Sequence, residues 1–388
     1  MIQAENKIRH LPYLDGLRAV AALYVVLHHV MLTVDRHAVG SLSLFTQNLF
    51  GFGRYGVDLF IVLSGFCLML PVTRSNGILK GGFTEYLKRR AWRILPSYYF
   101  ALGFSLLLGY FLIELKTKTQ WDDSLPITLK SIVSHLFLTH DITGEPYKIN
   151  YVFWSIAVEW RMYFLFPLLL LLWKKLTGWQ FVLGSFIGSY FLFKVLEHTI
   201  GTTWTVDFIG LFAFGMYGAH AAFSKTTNRS KTELAWGIIL AVMSVLVYLV
   251  SAVPFWKGKM APEEICDYTF GFWSLALLIF ISVNEKNWIR RVLSHKSLVF
   301  VGTFSYSLYL LHAPLLQVFW QYLFAPLQHK PYAMLFALIV IATPLIIAFS
   351  YFFYLWCEKP FIGRGKSKKP VDRLTFYIAN QRRKEAVS

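Results

Sequence analysis

The fold class this sequence predicts is all-α, a polytopic transmembrane bundle of about ten spans, and three observations predict it. Of the 388 residues, 56% are hydrophobic and 15% charged, well under the quarter typical of soluble domains. The charged residues are clustered between long apolar runs rather than spread evenly. Those runs approach the length of about 20 residues that a helix needs to cross a bilayer core, and a chain of this size has no room for a second large soluble domain.

Reading apolar runs between polar breaks places spans near residues 16–34, 56–73, 94–114, 151–173, 178–197, 204–223, 234–253, 267–284, 298–321 and 332–357. The segment Met1 to Pro12 is polar and basic, and the run after it is too long and wrongly flanked for a cleaved leader, so it is expected to remain as the first span. Residues 124–140 mix polar and apolar positions and are expected to form an amphipathic helix at the surface. With the N-terminus in the cytoplasm, 27 of the 38 Lys and Arg fall on that side, 10 on the other, and Arg161 lies inside a span. That asymmetry predicts cytoplasmic termini at both ends. Residues 1–358 then form the transmembrane domain, and 359–388 a basic cytoplasmic tail drawn to anionic lipid, with no catalytic role.

A net charge of +17 would point to nucleic acid in a soluble protein. Here the basic residues border apolar runs, as orientation in a bilayer requires, so no nucleic-acid partner is expected. Cys67, Cys266 and Cys357 are widely separated and carry neither a disulfide framework nor a zinc spacing; they read as small apolar fillers, and no metal is expected.

Ionisable groups inside spans are costly, so each is a functional candidate. In the first span Arg18 and His29 are 11 residues apart, which puts them about 20° apart around the helix and about 16 Å apart along it. His28 points elsewhere. A histidine bonded to a neighbouring helix, and a local Asp15–Arg18 pair, are the structural alternatives. The second span opens with Gly56-Val57-Asp58 and has Ser64-Gly65 at its middle. Before the third, Arg90 and Arg93 share a face, and two guanidinium forks at that boundary suit the phosphates of a nucleotide-type donor; basic residues there also satisfy orientation alone.

Ser155, Glu159 and Tyr163 form one stripe in the fourth span at i, i+4 and i+8. Glu159 is placed to orient a histidine or to pair with Arg161 or Arg18. Ser305, Tyr309 and His312 form a stripe in the ninth, with Pro314 beyond to bend the helix; His312 also reads as a packing residue. Asp58, His29, Glu159 and His312 fall in the outer halves of their spans, and Arg18, Arg90 and Arg93 at the inner ends. Such a layout suggests an anion-binding mouth toward the cytoplasm and an acid/base centre deeper in.

Five segments in order carry a resemblance over almost the whole chain: Leu14-Asp15-Gly16-Leu17-Arg18-Ala19-Val20-Ala21-Ala22 with His29, Gly56 to Phe66, Arg90-Ala91-Trp92-Arg93-Ile94-Leu95-Pro96, Trp154 to Glu159, and Ser305 to Pro314. Together they are similar to acyltransferase family 3, membrane O-acyltransferases that include enzymes acetylating bacterial surface polysaccharides. The resemblance implies ten spans, an essential His29 with Arg18 as its partner, and an acyl-CoA site involving Arg90 and Arg93, to which Ser64 is added. Some relatives append an extracytoplasmic hydrolase-like domain. This chain ends about 30 residues past its last span, so transfer is expected to finish in the membrane domain or on a partner.

The expected reaction moves an acyl group, acetyl by family habit, from cytoplasmic acyl-CoA to a hydroxyl of a surface glycan, lipid-linked glycan or related acceptor, in the bacterial plasma or inner membrane. His29 serves either as general base, its tautomer and charge set by Glu159 or Asp58, or as the group that first accepts the acyl. Tyr309, His312 and Ser155 are expected to contact the acceptor. Two other classes compete: a secondary transporter with an intramembrane His/Glu/Arg relay, disfavoured by the lack of an internal repeat, and a sensor or assembly factor without chemistry.

Overall fold

The structure, a computed structural model, describes residues 10–35, 50–75, 77–79, 81–114, 116–176, 178–200, 208–252 and 263–364. Every regular element among them is helical. In chain order these are α1 (Pro12–Asp35), α2 (Gly56–Arg74), α3 (Gly82–Phe111), α4 (Leu129–Leu136), α5 (Trp154–Lys175), α6 (Gly178–Ile200), α7 (Phe208–Phe223), α8 (Arg229–Ala252), α9 (Glu263–Val283), α10 (Trp288–Leu293), α11 (Lys296–Thr303) and α12 (Ser305–Phe319). A last helix, α13 (Pro331–Phe361), contains two π-helical stretches, Leu338–Ala342 and Tyr354–Glu358.

Eight of these helices are long and apolar enough to cross a membrane, and α11 with α12, bent by 71°, makes a ninth. The tenth expected span is α7, only 16 residues long. At 1.5 Å per residue it reaches about 24 Å, but α2, α6 and α9 pack around it, so protein rather than lipid covers most of its length. The chain is a polytopic helical membrane protein. Residues 365–388, most of the expected basic tail, lie outside the described residues.

Two close backbone crossings set the architecture. Where α2 meets α7, a Cβ added to Gly65 would lie 2.1 Å from the carbonyl oxygen of Phe212, and one on Gly215 would lie 1.9 Å from that of Val62. Small residues are what allow helices in a membrane to approach so closely, because dispersion between packed surfaces replaces the hydrophobic drive that lipid removes. The start of α1 is pinned in the same way: a Cβ on Gly16 would meet the Leu293 carbonyl at 1.7 Å, and one on Gly302 the Asp15 carbonyl at 2.0 Å. These crossings fix α1 and α2 at the centre of the bundle, with α12 beside α1. At the periphery, α8 turns Leu234, Ile238, Val242 and Val245 outward, as a lipid-facing helix does.

Pro314 lies inside α12, and the helix continues through it. The sharp bend is instead at Phe304, between α11 and α12. Proline has no N–H to offer the carbonyl four residues earlier, and in this helix that acceptor is the oxygen of Leu310. The side-chain amide of Asn150 donates to it at 3.2 Å and to Ser105 Oγ at 3.1 Å. A buried loop residue thus replaces the backbone bond that Pro314 removes, as helices interrupted by proline in membranes require.

The connection between α3 and α5 folds back over one end of the bundle. Its helix α4 covers 129–136, shorter than the expected 124–140, and begins with a reciprocal capping box between Thr128 and Ser131, which satisfies two of the amides a helix start leaves free. Its polar side, Ser131, Ser134 and His135, is buried, while Leu129, Val133, Leu136 and Phe137 are exposed. The hydroxyls of Tyr98 and Tyr99 on α3 donate to the carbonyls of His135 and Leu136 at 3.0 and 2.7 Å, and Thr119 Oγ1 donates to Gln317 of α12 at 2.5 Å. Carbonyls orphaned at the end of α4 therefore tie this connection to the spans.

Candidate active site

Two histidines from distant parts of the chain meet at the core. On α1, His29 places its Nδ1 2.9 Å from Nε2 of His312 on α12. The other nitrogen of His312, Nδ1, lies 2.7 Å from the carbonyl oxygen of Tyr309. A carbonyl only accepts, so His312 Nδ1 carries the proton, and in the neutral ring Nε2 is then a bare acceptor. His29 then donates from Nδ1, so that Nε2 is the bare nitrogen of its neutral ring, and the Val25 carbonyl is a further partner of that ring. The assignment follows from the partners, as tautomers ordinarily do.

His29 lines a cavity of about 500 Å³ whose walls include His28, Arg54, Asp141, Tyr147, Tyr151 and Asp267. The ring of Tyr151 stands 5.0 Å from that of His29, and His28, in the wall of the same cavity, donates from Nδ1 to the carbonyl of Phe50 at 3.0 Å. Arg54 faces Asp267 at 3.6 Å. Arg161, inside α5, forks onto both oxygens of Asp141 and so anchors the α3–α5 connection that forms one wall.

A second, smaller cavity of about 110 Å³ lies toward the other end of the bundle, lined by Arg18, Ser64, Arg90, Arg93, Glu159 and Tyr163 among others. Arg18 donates to Asp15 at 2.7 Å and to Cys67 Sγ at 3.0 Å. Arg90 lies over the rings of Tyr86 and Tyr163, at 6.0 and 5.8 Å from their centroids, a contact worth about 0.5–1 kcal/mol or more when desolvated. Glu159 accepts from Tyr163 at 2.5 Å and from Ser64 at 3.2 Å.

Most of the residues singled out in the sequence come together here. Arg18, Ser64, Arg90, Arg93, Ser155, Glu159 and Tyr309 line the second cavity, and His29 and Tyr309 the first. His312 is fully buried beside His29. Glu159, whose alternatives were a histidine or an arginine, has hydroxyl partners in the arginine-lined cavity, and the side chain that meets Nδ1 of His29 is His312. Asp58 is buried in the first turn of α2 and lines neither cavity. Among the described residues no cluster of three or more His, Cys, Asp or Glu is arranged to hold a metal.

The model of the family described as "Acyltransferase domain", acyltransferase family 3, matches residues 11–355. The chain belongs to that family. The O-acetyltransferase OatA of Staphylococcus aureus, from strains NCTC 8325 and COL, is 26% identical to it over 342 residues, covering 79% of this chain and 51% of the relative. The chain thus spans about half the length of the curated relatives it matches. No solved structure matches it.

Some residues of this acyltransferase family 3 site carry no signal in the sequence. Cys67, which reads as an apolar filler, faces Arg18 across the second cavity. Tyr306 also lines that cavity, its hydroxyl donating to the Ile94 carbonyl at 3.3 Å. Asp141, Tyr147 and Tyr151 come from a connection whose return path no periodicity reveals. Tyr163, by contrast, is legible in its i+4 spacing from Glu159.

Proposed function

We propose that the protein is a membrane O-acyltransferase that moves a short acyl group, acetyl by the name of its relatives, from acyl-CoA to a hydroxyl of a glycan or lipid-linked glycan. The observation that carries this reading is the His29–His312 pair at 2.9 Å, opening on one cavity and backed by a second lined with three arginines.

Acyl-CoA enters at the arginine end, taken as the cytoplasmic face of a bacterial plasma membrane with both termini on that side. Its phosphates meet Arg90 and Arg93, whose planar forks suit phosphate oxygens. The thioester lies along Ser64 and Arg18 toward the histidines, and the acceptor occupies the larger cavity, where Tyr147, Tyr151 and Trp154 offer aromatic faces beside polar groups.

His29 Nε2 takes the proton of the acceptor hydroxyl as its oxygen attacks the thioester carbonyl carbon. The new O–C bond forms, the C–S bond breaks, and CoA leaves as the thiol with the proton that His29 held. While charged, the His29 ring is stabilised through Nδ1–H by the lone pair of His312, the role a carboxylate plays in other general-base pairs. Arg18 lies on the donor side, where it offsets negative charge developing on the carbonyl oxygen.

The test uses the purified full chain in lipid nanodiscs with radiolabelled acetyl-CoA and an oligosaccharide acceptor. Acetyl ester should appear on the sugar, and Arg90→Ala with Arg93→Ala should weaken CoA binding by about 10-fold or more, the scale of lost charge-assisted hydrogen bonds. No ester and an unchanged CoA affinity in the double variant would end this reading.

A further inference from the structure

Among the described residues only Val57 and Tyr309 line both cavities, and both are buried. They form the partition between the arginine-lined chamber and the histidine-lined one. Tyr309 is held there at its tip: its hydroxyl donates to the Val152 carbonyl at 3.0 Å and lies 2.7 Å from Ser155 Oγ, so the start of α5 and the turn before it grip a side chain rooted on α12. The edge of Phe60 packs on its ring at a centroid distance of 6.0 Å. On its other side the ring stands 5.6 Å from that of His312. Val57 is β-branched on a helix, which leaves it essentially one χ1 rotamer.

We infer that Val57, Phe60 and Tyr309 form the gauge that limits acyl-chain length, admitting acetyl and rejecting longer chains. The inference rests on the acyltransferase reading. For an acceptor oxygen activated by His29 to reach the carbonyl carbon, that carbon must stand at the partition, with the sulfur below and the acyl tail among these three side chains. Neither Tyr309, tied at its hydroxyl, nor Val57, stiff at χ1, yields cheaply. Packed interiors respond to a single added methylene, and a shape-filling pocket discriminates by about 10–200-fold per methylene.

The experiment compares kcat/KM of the full chain for acetyl-, propionyl- and butyryl-CoA in wild type, Val57→Ala, Phe60→Ala, Val57→Ile and the near-isosteric Val57→Thr. Wild type should favour acetyl over propionyl by about 10-fold or more, and butyryl should be slower still. Either Ala variant should raise the propionyl-to-acetyl ratio by about 10-fold, Val57→Ile should lower it, and Val57→Thr should leave it near the wild-type value. Measured CoA affinity, expected to stay at the wild-type value, separates loss of fold from loss of selectivity. A wild type that transfers acetyl yet accepts butyryl equally well would overturn the inference while leaving the transferase reading in place. So would folded Ala variants with an unchanged ratio. A wild type that transfers no acyl group from any of the three donors would overturn both.

Discussion

His312 accepts a hydrogen bond at Nε2 from Nδ1 of His29, 2.9 Å away, while its own Nδ1 is held by the Tyr309 carbonyl at 2.7 Å. The relationship makes Nδ1 the donor of the neutral His29 ring. Replacing His312 with Phe keeps a ring in the fully buried site but removes one acceptor, leaving the Val25 carbonyl as the remaining partner of the His29 ring. The rate of transfer should fall by about 100-fold or more, with CoA affinity unchanged. His312→Gln, whose side-chain oxygen can accept from His29, should recover part of the loss. Steady-state kinetics on protein that is monodisperse by size-exclusion chromatography measures both, and a His312→Phe variant at the wild-type rate would remove His312 from the mechanism.

Asn150 and Pro314 form a matched pair through the Leu310 carbonyl. Asn150→Leu strands that oxygen in the interior, at a cost of about 1–3 kcal/mol. Pro314→Ala restores the helical N–H at position 314 and should offset much of the damage. Thermal unfolding of the two single variants and the double variant gives the coupling. Strictly additive losses would show that the amide of Asn150 does not serve the break left by proline.

Gly65→Ala and Gly215→Ala place a methyl group about 2 Å from backbone oxygens, contacts that no side-chain adjustment relieves. Each should lower the yield of folded protein sharply, because α2 carries Ser64 and Val57 into the site along the same crossing. Gly188→Ala on α6, with nothing within 4 Å of the added carbon, should be neutral or slightly stabilising, since alanine is the better helix former. Fluorescence-detected size-exclusion profiles distinguish the two cases. Equal behaviour of all three would contradict the close crossing.

His135 and His140 stack in the α3–α5 connection, rings 3.9 Å apart and nearly parallel. Burial pulls His135 down to about 3, aided by the neighbouring His140 and opposed by Glu145. It pulls His140 down to about 4, and the nearby Arg161 acts in the same direction. Both rings are neutral in the fold, whereas the unfolded chain takes up protons near pH 6.5. Stability is therefore complete above about pH 6.5 and is lost as pH falls toward 4. The melting temperature of wild type should drop across that window, and in the His135→Phe/His140→Phe variant it should drop less. Identical slopes would show that other groups set the acid sensitivity.

The spans were legible because each apolar run is bounded by charges, and every one of the ten has a helical counterpart here. Less legible was α7, whose ends depend on which neighbours cover it. The face shared by Arg18 and His29 followed from helical periodicity alone, as did the stripe Ser155–Glu159–Tyr163. What periodicity lacks is the partner across the gap. The His29–His312 bond joins residues 283 positions apart, and Glu159 settled with Tyr163 and Ser64 because helix pairing places α5 beside the arginines. Asp141, Tyr147 and Tyr151 entered the site through a loop whose path is set by tertiary bonds from Tyr98 and Tyr99 and by the bond that Thr119 donates to Gln317.

The most direct measurement is single-turnover transfer of labelled acetyl from acetyl-CoA to an oligosaccharide by wild type and His29→Ala, both shown to be folded and to bind CoA. With His29 as the proton acceptor, the variant should retain CoA affinity and lose transfer by about 100- to 10,000-fold. Transfer by folded His29→Ala at the wild-type rate would contradict the central role of that imidazole.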